Sequence, residues 1–258
     1  MKFCVQLYSL RDIAQQKGAE GALAAVAAAG YDGVEFAGFY GMTAAALREL
    51  LDRYSLVALS AHIRPEEVEC SLDIILALGI RYVFVPWAGA DELASPQRYA
   101  ALVDSMKRAK NVLEDRGIVF GYHNHAHEYA GCENYVARIV KDTGVKVEPD
   151  VFWLTVAGRD AVAELKTLRG SAALVHIKEA AHADPAVSPQ PVVGEGAVDM
   201  AGVFAETVWQ GIPWAVLEVE KFPCDEVEYM QKSLVNMKKL AADAQRKINK
   251  KRSRRVGK

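Results

Sequence analysis

The 258-residue sequence holds only four cysteines, at positions 4, 70, 132 and 224. No two lie close enough for a CxxC pair, which excludes a zinc ribbon and argues against a disulfide framework. Membrane-spanning length is missing too, since no apolar run approaches the roughly 18 residues a bilayer demands. The start, Met1-Lys2-Phe3-Cys4-Val5-Gln6-Leu7-Tyr8, goes straight into apolar alternation. It lacks the uninterrupted apolar segment and small-residue cleavage site of a signal peptide. A reduced, cytoplasmic protein is the expectation, with no membrane partner. No interior stretch reads as a linker, so one domain is expected over residues 1–245.

Acidic residues are absent after Asp243, while residues 246–258 carry eight lysines and arginines. The formal net charge of −2 therefore leaves about −10 on the rest of the chain. An acidic body with a short basic end is not the charge distribution of a nucleic-acid binder. The tail is expected to be solvated and flexible, and nucleic acid is not an expected partner. Homo-oligomerisation is left open by the sequence.

Half of the residues are hydrophobic, 51%, enough for a large core. Short apolar runs at residues 3–10, 33–38, 57–63, 81–87, 119–125, 145–152, 172–178 and 214–219 read as strands. Each is followed by a segment with helical spacing, at 21–29, 44–54, 66–78, 96–116, 133–142, 160–168, 200–209 and 225–247. Glycines 30, 79, 117, 144 and 170 stand where helices stop. Eight strand–helix units in about 250 residues predict an α/β fold, a single-domain (β/α)8 TIM barrel. An open doubly wound sheet is disfavoured because Tyr8-Ser9-Leu10-Arg11-Asp12, with no glycine-rich phosphate loop, follows the first strand.

Barrel active sites lie at the C-terminal ends of the strands. Those ends carry Glu35, His62, Trp87, the cluster His123, His125 and Glu128, then Asp150, His176, Lys178, Glu218 and Glu220. Period-two alternation puts His176 with Lys178, Glu218 with Glu220, and Glu148 with Asp150 on shared faces. Carboxylates converging with an imidazole make a divalent-cation site. Its oxygen-rich donor set favours Mn2+, with Mg2+, Co2+ or Zn2+ open. Taken singly, each of these residues is as readily a solvated or salt-bridged strand cap.

The chain resembles the sugar phosphate isomerase/epimerase family, the xylose-isomerase-like TIM barrels, from residue 3 to about residue 240. The resemblance is carried by residues 5–12 (VQLYSLRD), 30–35 (GYDGVE), Tyr122-His123-Asn124-His125 with Glu128, and Asp150 with Trp153 and Ala157-Gly158. His176-Ile177-Lys178, residues 194–199 (GEGAVD) and Glu218 complete it. It implies a metal centre with Asp150, His176 and Glu218 as ligands and Glu128 as the fourth. The alternative is that His123 or His125 supports Glu128 by hydrogen bonding. Two departures stand out. Pro149 replaces an aliphatic residue and should bend its strand, and Trp153 stands where nuclease relatives carry a histidine.

The implied function is a metal-dependent sugar or keto-sugar isomerase or epimerase, acting by proton abstraction beside a carbonyl. Glu218 is the expected base, with His125 or Glu128 as the second proton-transfer group. Glu35, His62, Trp87, His123, Trp153, Lys178 and Glu220 are expected around a small sugar substrate. A lyase acting on 3-keto-glycosides by elimination is the alternative, and an endonuclease-IV-like repair nuclease a third.

Overall fold

In the computed structural model, which describes residues 1–131, 133–186 and 188–256, eight parallel strands carry the chain. They are β1 Lys2–Gln6, β2 Gly33–Phe36, β3 Val57–His62, β4 Tyr82–Val85, β5 Val119–His123, β6 Lys146–Glu148, β7 Val175–Ile177 and β8 Trp214–Leu217. The hydrogen-bonded order is β6-β5-β4-β3-β2-β1-β8-β7. The remaining seam is crossed by two single bridges, Val147 to Ala172 and Asp150 to His176. A TIM barrel that is closed but for that seam results.

The helices are α1 Arg11–Ala29, α2 Ala44–Arg53, α3 Val68–Ala77, α4 Ala90–Ala94, α5 Pro96–Glu114, α6 Tyr135–Thr143, α7 Val151–Val156, α8 Ala161–Thr167, α9 Met200–Gln210 and α10 Glu226–Val256. α2 illustrates the local logic. Thr43 Oγ1 accepts the Ala46 N–H, and Leu47, Leu50 and Leu51 turn the apolar stripe inward. A cap is worth roughly 1 kcal/mol and each buried leucine about 1.5–3, so burial holds the helix against the barrel.

Several strands are shorter than expected, each for a visible reason. β1 ends at Gln6 because its side chain accepts the Tyr8 N–H and starts a 3-10 turn over Leu7–Leu10. α1 then begins ten residues early, at Arg11, and is interrupted at Gly18 (φ 68, ψ −176). β6 ends at Glu148, since Pro149 follows and Asp150 caps α7, a helix the sequence reading did not separate. Residues 246–256, set apart as a tail, continue α10 as helix, and residues 257–258 lie outside the described residues. Cys4, Cys70 and Cys224 are free, and Cys132 lies outside the described residues. Among the described residues no helix is long and apolar enough to cross a membrane.

The barrel interior has two layers. Cys4, Leu59, Phe84, Leu174, Trp214 and Val216 form an apolar plug. Gly121 makes room for it: a Cβ there would stand 2.5 Å from the Phe84 ring and 2.7 Å from the Lys146 carbonyl. Two residues further along the same strands come Gln6, His123, His176 and Glu218, all buried. Period-two alternation thus converts an apolar floor into a polar rim at the C-terminal end.

Candidate metal centre

Strand register sets the rim. Gln6 pairs with Glu35, His123 with Glu148, and Asp150 bridges to His176. Asn124, just past β5, ties that strand to the segment after β6, across the break at Pro149. Its Oδ1 accepts the Asp150 N–H at 2.9 Å and its Nδ2 donates to the Asp150 carbonyl. Asp150 Oδ1 accepts the Trp153 N–H at 2.9 Å, which fixes the carboxylate and leaves Oδ2 buried without a hydrogen bond.

His176 stands between two sets of carboxylates. Nδ1 lies 3.2 Å from Glu218 Oε2 and 3.9 Å from Asp150 Oδ2. Nε2 lies 2.7 Å from Glu35 Oε1 and 3.2 Å from Glu148 Oε2. Lys178, fully buried, donates to Glu218 Oε2 at 3.1 Å and to Glu220. Two groups have donor atoms all within 4.8 Å of one another: His123, Asp150, His176 and Glu218, and His62, His123, Glu148 and His176. Either can hold a divalent ion. Asp150 Oδ2 and His123 Nδ1, buried without a hydrogen bond, fit that role, because such an atom is costly unless something occupies the space before it.

The electrostatics follow from this packing. Burial opposes ionisation of Glu218, but Lys178 and His176 hold its carboxyl well below the usual range. Burial likewise opposes charge on Glu148, and His176, His123 and His62 outweigh it. At Glu35, burial and Glu148 disfavour the anion, yet His62 and His176 keep it low. Asp150 goes the other way: burial pushes it up to about 7 against the pull of Lys178. Burial disfavours charged His62, but Glu35 and Glu148 raise it to about 10. His176 is raised well above the ordinary imidazole value by Glu148 and Glu35, again against burial. Burial, then the charge of His176, lowers His123 to about 4, and burial, then His123, lowers His125 to about 2.

Glu128, expected as the fourth ligand and as an alternative base, is not brought to either group. Its Oε1 accepts from the Tyr122 hydroxyl at 2.6 Å and its Oε2 from the His125 N–H at 2.8 Å. The position on the fifth strand is taken instead by His123, placed among substrate contacts by the sequence reading. The 3-10 turn His127–Tyr129 points the glutamate back toward the strand, a direction that spacing alone does not reveal. Glu35 sits fully buried beneath His176 rather than against the cavity. Glu148 shares the Asp150 face, as alternation indicates, but its partnership with His62 depends on barrel closure.

Above the rim opens a cavity of about 750 Å³, lined among others by Tyr8, His62, Trp87, His123, Trp153 and Glu218. His125 and Glu220 also line it. Trp87 is half exposed at its mouth, and Trp153 is partly buried beside His125, ring centroids 5.1 Å apart. Glu179, which the sequence reading passed over, is fully buried. It accepts backbone N–H groups of Ala180, Gly194 and Val198, pinning the long loop after β7. Nothing local announces the link to the loop, because Gly194 and Val198 arrive 15 and 19 residues later.

A family model described as xylose isomerase-like TIM barrel matches residues 23–240. The chain belongs to that family. A sugar phosphate isomerase/epimerase from Parabacteroides distasonis is similar, with TM-score 0.75 and 22% identity over 94% of this chain and 95% of that one. D-allulose 3-epimerase from Methylomonas sp., solved with D-allulose, shares 17% identity, with TM-score 0.71 and coverage of 93% and 96%. A protein from Brucella melitensis described as AP endonuclease, family 2, also shares 17%, with TM-score 0.71 and coverage of 89% and 96%. At these identities the structural likeness establishes the shared barrel. No curated protein matches the sequence.

Proposed function

We propose that the protein is a divalent-metal-dependent isomerase or epimerase of an unphosphorylated sugar or keto-sugar. The observation that carries this reading is the convergence of His123, Asp150, His176 and Glu218 at the rim, with Glu218 facing the cavity. His123 replaces Glu128 in the ligand set. A bound divalent ion would supply positive charge to a substrate carbonyl and its neighbouring hydroxyl, lowering the barrier to removing the adjacent proton.

Glu218 is ionised and faces the cavity, so it accepts the proton. Lys178, bonded to it at 3.1 Å, orients the carboxylate and tempers its basicity. His125, on the cavity wall, is the second proton-transfer group. His62, Trp87, Trp153 and Glu220 contact hydroxyls and ring faces. Glu35 acts from below, as a partner of His176.

Among the described residues, none lining the cavity is a lysine or arginine, while Glu67, Glu218 and Glu220 are in the wall. Such a wall repels phosphate, which supports a neutral substrate. It also weighs against a phosphodiester, and the basic end of α10 does not compensate. Gln245 already lies beside Met1 and Lys2, at the opposite end of the barrel. The size of the cavity, which suits a ligand larger than one sugar ring, favours a second reading. In it, the same proton abstraction from a 3-keto-glycoside expels the aglycone, making the enzyme a lyase.

Incubation of the Mn2+-loaded protein with a panel of keto-sugars and 3-keto-glycosides in D2O tests both. Deuterium at the α-carbon with an epimer or isomer as product supports the first reading, and release of an aglycone the second. No exchange on any neutral sugar, with turnover of a sugar phosphate or abasic DNA, refutes both.

A further inference from the structure

The basic end of α10 has no part in the chemistry at the rim. Lys247 and Lys251 instead form one wall of a groove whose other walls come from α8 and α9. Its volume is about 550 Å³, within the range of small-molecule sites. Lys166 and Arg169 stand at the end of α8 and just past it, and Trp209 in the last turn of α9. There the chain turns back toward β7 and β8, so the groove opens at the end of the barrel away from the rim.

The aromatic surface of the groove is held in place from behind. Trp209 is 57% exposed, although the Arg169 guanidinium lies 4.0 Å from its ring centroid. Arg169 donates to Glu206 from Nε at 2.6 Å and from Nη2 at 2.7 Å. Gln210 Nε2 donates to Glu206 at 3.0 Å and to the Leu165 carbonyl at 2.8 Å, tying α9 to α8. Glu206 neutralises Arg169, so the pair fixes the indole without adding net charge.

Three cations of the groove remain, Lys166, Lys247 and Lys251, all exposed. Asp243, one turn before Lys247, is engaged by Arg246, and Glu206, one turn before Trp209, by Arg169. A cation in the last turn of a helix answers the helix dipole, which accounts for Lys166. Lys247 and Lys251 stand before the last turn of α10, which runs to Val256, so the dipole does not account for them. Spaced by four, they share one helix face. Lysine offers phosphate a point charge, and an exposed indole offers a flat ring a stacking surface.

We propose that this groove binds a nucleoside triphosphate, its base stacked on Trp209 and its phosphates held by Lys166, Lys247 and Lys251. The concavity favours a small molecule over a flat membrane surface, which would meet the lysines without filling the groove. Occupancy here is independent of the chemistry at the rim.

Equilibrium dialysis of the full chain against ATP tests this, in metal-free buffer that keeps the phosphates from chelating an ion at the rim. ATP is expected to bind about 10-fold more tightly than tripolyphosphate, which lacks the ring, or adenosine, which lacks the charge. Trp209→Leu should abolish the advantage over tripolyphosphate. Lys166→Ala combined with Lys251→Ala should weaken ATP by about 10-fold and flatten its dependence on NaCl. All three side chains are exposed, and circular dichroism checks that the variants keep the fold. No binding at about 1 mM ATP overturns the proposal. Tripolyphosphate binding as tightly as ATP also overturns it, leaving a plain anion patch. ATP binding unchanged by Trp209→Leu and by the lysine pair does the same, by placing the nucleotide elsewhere. Phosphatidylserine vesicles that bind through these residues while ATP does not would make the groove a membrane contact instead.

Discussion

The Tyr122 hydroxyl donates to Glu128 Oε1 at 2.6 Å and accepts the Ala88 N–H at 3.0 Å, so a buried relay joins the fifth strand to the loop that carries Trp87. His127 closes the circuit by donating Nε2–H to the Ala88 carbonyl at 2.7 Å. Glu128 therefore belongs to the scaffold of the cavity wall. Tyr122→Phe leaves Ala88 N–H and one carboxylate oxygen unsatisfied, at a cost of about 1–3 kcal/mol. We expect a lower melting temperature and a several-fold higher KM, with metal content unchanged in both Tyr122→Phe and Glu128→Gln. Loss of metal from Glu128→Gln would restore the glutamate as a ligand.

Asp150 performs two tasks with two oxygens, capping α7 with Oδ1 and facing the metal group with Oδ2. Asparagine caps a helix about as well as aspartate. Asp150→Asn should therefore keep the fold within roughly 0.5 kcal/mol, while metal affinity falls by more than about 100-fold, beyond what losing an outer hydrogen bond costs. Denaturant melts alongside isothermal titration with Mn2+ separate the two effects. Unchanged affinity would remove Asp150 from the centre.

The loop after β7 approaches the barrel so closely at Gly196 that a Cβ would stand 2.3 Å from the Ala180 carbonyl and 2.6 Å from Glu179. Gly196→Ala must push the loop off the Glu179 carboxylate. Destabilisation of about 1–3 kcal/mol is expected, with faster proteolysis within residues 180–199. A variant as stable and as protease-resistant as wild type would show that this contact does not pin the loop.

The buried rim makes the stability of the metal-free chain depend on pH. His62 is raised to about 10 by Glu35 and Glu148. It contributes stability that is complete below its unfolded value near 6.5 and is lost as pH rises through the folded value. Glu35, Glu148 and Glu218 are lowered, so their contribution is present above about 4.5 and lost on acidification. The melting temperature of chelator-treated protein should fall between about pH 7 and 10. His62→Gln should flatten that limb, and saturating Mn2+ should weaken as pH drops, because ions displace protons. Equal alkaline slopes for wild type and His62→Gln would refute the pairing.

The alternating apolar runs and glycine stops made the barrel legible before any coordinates, because eight strand–helix units of this length have few other ways to bury their faces. Alternation also placed Asp150, His176, Lys178 and Glu218 at strand ends, where period two leaves little choice of side. Turns were harder to read. Whether Glu128 reaches forward to the rim or back to Tyr122 depends on a 3-10 turn three residues long. Pro149 announced a break, yet not that Asp150 would become a cap.

By itself, then, the sequence determined the barrel, the acidic and imidazole-rich rim, and the convergence there of Asp150, His176 and Glu218, three residues of a group able to hold a metal ion, since local periodicity specifies which face each residue takes. Only the tertiary structure decided that His123 and not Glu128 completes that group. It alone brought Glu148 on β6 within 2.9 Å of His62 on β3, beside Glu35 of the neighbouring β2 at 3.1 Å. Pairing across that distance is a property of closure, and no local pattern encodes it.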